Sequence, residues 1–170
     1  EREPSRFNEA ADLAVNPILR EAGLSLPPGG LFPGEGQARY RNLPPGLSAE
    51  EYYNLLPAEI VSLDPGRNVS KLRVGEWEIG GLYYPGQLKG DRVMLCVAPG
   101  QVRVEARSGY PRANTMGLDL QHVVAGPDRA RLLFAGGFRA EIPRAEWEQL
   151  SRAEEFAVEI PAAALRLVKG

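Results

Sequence analysis

The chain has 170 residues, 44% hydrophobic and 25% charged, enough for one domain or two small ones with a real core. Its net charge of −2 leaves no basic excess to neutralise phosphates, which argues against a nucleic-acid binder. One cysteine, Cys96, and one histidine, His122, exclude an intrachain disulfide framework and a Cys/His zinc site and point to a reducing compartment, the cytoplasm.

Residues 5–22 read as a short helix, with Ser5 as a cap and Phe7, Ala10, Ala11, Ala14 and Val15 at helical spacing. Pro17 should kink or end it, Ile18, Leu19 and Ala22 could add a turn, and Gly23 is a natural stop. Such a helix either packs on its own barrel or docks another domain. Residues 23–46 are rich in proline and glycine and cannot run a regular ladder, so a linker is expected, pinned by Leu31-Phe32 and Tyr40. Ser48-Ala49-Glu50-Glu51 has the spacing of a capped helical turn.

From Asn54 the chain alternates short apolar strands with turns, and it does so twice. Ile60 and Leu63 answer Leu120 and Val123; Leu72 and Val74 answer Leu132 and Phe134. Trp77 answers Phe138; Val93, Leu95 and Val97 answer Phe156, Val158 and Ile160; Val102 and Val104 answer Leu165 and Leu167. Few residues are identical, so the repeat is one of pattern. Strands are expected near 57–63, 69–74, 77–84, 92–97 and 101–105, then 115–124, 129–135, 138–142, 155–160 and 164–168. A short helix around Trp147 interrupts the second set, and Gly109-Tyr110-Pro111 links the copies. The fold class is therefore mainly β: two OB-like small barrels in tandem, at 47–106 and 107–170, after a helix and Pro/Gly-rich linker at 1–46.

Catalytic signatures are missing. There is no G-x-S-x-G, H-E-x-x-H or phosphate loop, and Gly34-Glu35-Gly36 is followed by Arg39 where a third glycine belongs. Glu76 and Glu78, like Glu146 and Glu148, flank a tryptophan and read as solvated faces. No catalytic, cofactor or metal residue is assigned. Trp77 and Trp147 are the interface candidates, because tryptophan is enriched at interfaces. No run approaches the ~18 apolar residues of a membrane span. The chain starts at Glu1 and reads as a fragment or a processed chain.

Asn54-Leu55-Leu56-Pro57-Ala58-Glu59, Leu95 to Val104 and Val158 to Leu167 resemble, in order and spacing, the motifs of the TOBE (transport-associated oligomer-binding) domain. Tandem copies of that domain form the C-terminal regulatory part of ATPase subunits in bacterial ABC importers. The resemblance implies self-association, an ABC ATPase partner within a membrane transporter complex, and a cytoplasmic location peripheral to the inner membrane. Ala98 and Gly100 depart from the family's Arg and Glu, and the ATPase motifs are absent. Related single modules bind molybdate, which makes a stand-alone oxyanion module the alternative; its candidate residues are Arg112, Asn114 and Arg144. Pro143 and Glu146 stand where those modules place hydroxyl donors, and Glu146 adds negative charge. A generic OB-type oligonucleotide or sugar binder would need an aromatic and basic strand face, and Trp77, Tyr83 and Tyr84 lie beside Glu76 and Glu78 instead.

Overall fold

The computed structural model describes residues 4–41, 43–109 and 112–168. Tyr110 and Pro111, in the expected link between copies, lie outside them. The chain divides into two compact units, one running to Leu55 and including Val168, the other spanning Leu56–Leu167.

In the first unit α1 spans Pro4–Glu21 and continues through Pro17. It stops where expected, by a Schellman arrangement: Gly23 takes φ +75°, its N–H bonds Arg20 O at 3.0 Å, and Leu24 N–H bonds Leu19 O at 3.0 Å. Ala10 and Leu13 are its buried face. Phe7 meets Tyr53 edge-on at 5.8 Å. The proline-rich segment is a strap laid back on α1. Asn16 donates to Leu31 O at 3.1 Å, the Arg20 guanidinium stacks 4.0 Å from the Phe32 ring centre, and buried Tyr40 donates to Glu9 at 3.1 Å. Arg20 also grips both carboxylate oxygens of Glu35, and that hydrogen bonding holds the Glu35 carboxyl below its ordinary range. Within the strap, α2 spans Ala38–Arg41. The short helix α3, Ala49–Tyr53, carries the capping box: Glu51 N–H bonds Ser48 Oγ at 3.2 Å and Ser48 N–H bonds Glu51 Oε2 at 3.0 Å.

The β region contains β1 (Leu55–Asp64), β2 (Val69–Val74), β3 (Trp77–Leu82), β4 (Arg92–Cys96) and β5 (Arg103–Ala106). It continues with β6 (Thr115–Leu118), β7 (Leu120–Ala125), β8 (Arg129–Phe134), β9 (Arg139–Pro143), α4 (Arg144–Leu150), β10 (Phe156–Glu159) and β11 (Arg166–Val168). The fold is mainly β, as the alternation predicts. One sheet has the order β11-β4-β1-β2-β3; the others are β5-β10-β6 and β7-β8-β9. The strand expected over 115–124 is broken at Asp119, whose carbonyl instead accepts Ala135 N–H at 2.9 Å. Taking β6 and β7 as two halves of one strand gives the second repeat the same order as the first. The bulges agree too: β1 slips between Ile60 and Ser62, β7 between Leu120 and His122. One difference lies in the opening hairpin, where Ile60 faces Leu72 but Leu120 faces Phe134, so the second closes further along its partner.

Each repeat gives away its closing strand. β5, from the first, pairs with β10 of the second, placing Val104 opposite Val158 and Ala106 opposite Phe156. β11, from the second, joins β4 of the first. Val158 thus sits between Val104 and Met116, and all three are buried. Alternation along β2 and β8 sends Leu72 and Val74, and Ala130, Leu132 and Phe134, into one continuous core with Ile60, Ile79, Leu95, Phe138 and Ile160, and buries Ser70 on the same face of β2. Fully burying each of these large apolar side chains contributes about 1.5–3 kcal/mol.

At the seam the two residues that answer each other in the repeat touch: Trp77 meets Phe138 edge-on at 5.5 Å. Gly136, at φ +79°, makes room for the indole, since a Cβ there would lie 2.5 Å from Trp77 Cζ3. Its neighbour Gly137 has φ +81° and open space around it. Gly137→Ala should therefore cost about 1–2 kcal/mol, the left-handed penalty alone. Gly136→Ala should cost about 1–3 kcal/mol more through overpacking. Thermal melting of the two variants checks this; equal losses would contradict the packing.

Tyr84 also ties the repeats, its hydroxyl donating to Leu165 O at 3.1 Å. Burial raises the phenol above its ordinary value, so the folded chain keeps this proton longer than the unfolded one. The resulting stability is complete below the unfolded pKa of about 10 and is lost as pH climbs from there through the raised folded value. Tyr84→Phe should be less stable than the parent by about 1 kcal/mol at neutral pH. That gap should shrink above pH ~10, and denaturant melts across the alkaline range would show it; a gap that grows would contradict the assignment.

Candidate functional site

The oxyanion candidates are already engaged within the chain. Asn114 adopts φ +56° at the start of β6 and clips three strands together. Its Oδ1 accepts Gly80 N–H at 2.7 Å, and its Nδ2 donates to Gly80 O at 2.7 Å and to Ile160 O at 2.9 Å. Both amide protons are used, so none is left for an anion. Arg112 is ion-paired with Glu105. Arg144, on α4, bonds Glu148 Oε1 through Nε at 3.1 Å and Gly126 O through Nη1 at 3.0 Å. No described contact joins the three residues. Pro143 ends β9 and Glu146 is exposed on α4.

Both tryptophans pack against the chain's own core and remain partly exposed. Trp77 borders the seam, and Trp147 stacks on buried Phe156 with ring centres 6.2 Å apart and 29° between planes. His122 is exposed on β7 opposite Leu133, and Cys96 is buried and outside any disulfide.

A groove of about 400 Å³ opens in the second repeat, between α4, the β6–β7 break and the segment leading into β10. Trp147 and Phe156 form one wall. Arg107 also lines the groove; its guanidinium lies over Gly117, where a Cβ would approach it to 3.0 Å, and it pairs with Glu155 at 3.6 Å. Arg107 N–H also bonds Glu155 O at 3.0 Å. Asp119, Ser151 and Glu154 complete the polar lining, and neither carboxylate has an ion-pair partner among the described residues. The sequence reading singled out Trp147 but missed this groove. The break at Asp119 that opens it is signalled only by Gly117 and Asp119 within an otherwise apolar run, too little to divide a strand on sequence alone.

The chain matches, over residues 1–168, the family model described as "Putative metallopeptidase domain", and it belongs to that family. No curated protein matches the sequence. Among solved structures, the cytoplasmic molybdate-binding protein ModG, crystallised with molybdate bound, is similar in fold: TM-score 0.60 at 14% identity, covering 69% of this chain and 96% of that one. A catalytic zinc takes three protein ligands, drawn from histidine, cysteine and carboxylates. This chain has a single histidine, and no three such side chains converge among its described residues. The described residues do not fit a peptidase metal. The OB-like fold is shared with ModG, and no described helix is long and apolar enough to cross a membrane.

If Asn114 is a structural clip, Asn114→Asp should place a carboxylate against two carbonyl oxygens. That raises the new group's folded pKa above the unfolded value of about 3.9. The variant should then be least stable at neutral pH and recover part of its loss as pH falls below the raised value. Urea melts at neutral and acidic pH read this directly; a variant as stable as the parent at neutral pH would contradict the clip.

Proposed function

We propose that this family member is a non-catalytic binding and regulatory module, the duplicated OB-like end of an ABC-importer ATPase subunit. On this reading it acts by self-association and by restraining a partner ATPase. The observation that carries the reading is the reciprocal exchange of β5 and β11, which makes residues 56–167 one compact unit. A regulatory end must transmit position, and a unit whose halves share strands moves as a whole. The order of the TOBE-like motifs supports the same reading, and the partly exposed Trp77 and Trp147 are the aromatic candidates for an interface.

The second reading is a stand-alone oxyanion module, favoured by the fold shared with the molybdate-bound ModG. It is weakened by the internal hydrogen bonds of Asn114 and Arg144 and by the Arg112–Glu105 pair. Sedimentation velocity and calorimetry separate the two. The regulatory reading expects a concentration-dependent dimer and no heat on titration with ATP or molybdate. A chain that stays monomeric throughout would overturn self-association, and saturable heat with molybdate would decide for the oxyanion module.

A further inference from the structure

We infer that the groove beside Trp147 binds a small organic cation, an ammonium compound of choline size. This goes beyond the regulatory reading and stands independently of it, because it concerns one pocket within one repeat. Three features converge. The first is size: about 400 Å³ lies within the range of small-ligand pockets. The second is charge. One guanidinium, Arg107, faces three carboxylates, Asp119, Glu154 and Glu155, and it is already paired with Glu155. Asp119 and Glu154 are left to set a negative potential at the mouth, which repels anions and draws cations. The third is the wall. Trp147 lines the groove and stacks on buried Phe156, which limits the motion of its ring. The face of an indole carries negative potential and attracts ammonium groups, tryptophan being the best of the aromatic residues at this. An aromatic face flanked by uncompensated carboxylates selects a positive charge on an apolar frame over a hydrated metal ion.

The test uses the two indole N–H resonances of the full ¹⁵N-labelled chain, with Trp77 as internal reference. Choline is the probe, and 3,3-dimethylbutan-1-ol, of the same shape but neutral, is the control. Choline should shift the Trp147 resonance saturably and leave Trp77 in place, the neutral alcohol should not, and added salt should weaken the response. The double variant Asp119→Asn, Glu154→Gln should bind choline at least about tenfold more weakly. Both residues are exposed, so an unmoved Trp77 resonance reports that the variant is folded; the single Glu154→Gln variant stands in if it is not. No shift of Trp147 with choline, an equal shift with the neutral alcohol, or undiminished binding by the carboxylate variant overturns the proposal.

Discussion

Unpaired strand edges are the constraint on which this structure depends. Backbone N–H and C=O groups at a buried edge must find partners, and an exposed edge invites the wrong ones. The first repeat supplies β1 to β4 to one sheet, and the second supplies β6 to β10 to two. The other repeat adds an edge strand in each case: β5 lies against β10, and β11 against β4. A sheet from each repeat therefore carries a strand of the other, which couples their folding. Asn114 extends the same logic, meeting the backbone of Gly80 with a side-chain amide where no strand is available.

The constraint also sets where function can reside. Residues that look like ligand donors in a linear reading are drawn into closing the seam, as with Asn114. Arg112 and Arg144 are held by Glu105 and by Glu148 with Gly126 O. The groove lies where the β6–β7 strand breaks, beside α4 and next to the β5–β10 pairing. There the lining keeps carboxylates without ion-pair partners and an indole face, and the chemistry is cationic recognition. Membership of a family described as a putative metallopeptidase domain does not alter this, because no metal donor set converges among the described residues.

Much of the fold is legible in the sequence. Period-two alternation along Ser70, Leu72 and Val74 and along Val102 and Val104 reports burial directly, since a strand has only two faces. The Ser48–Glu51 spacing gives the capped turn, and Leu31-Phe32 and Tyr40 give the strap that returns to α1. The stop at Gly23 is legible as well, and α1 runs to Glu21 close to where its spacing predicts. Two things are not legible. One is the strand exchange, because local pattern says where strands are and not which sheet they join. The other is the groove, whose residues come from positions 107 to 156, separated along the chain and brought together by the fold.

Native-state hydrogen exchange is the direct test of strand exchange as the organising interaction. Amides of β2 in the first repeat, β10 in the second and the exchanged strand β5 should all be released by one global opening, with a single free energy and a single denaturant dependence. Two separate openings, one for each repeat, with β5 exchanging apart from β10, would contradict the account.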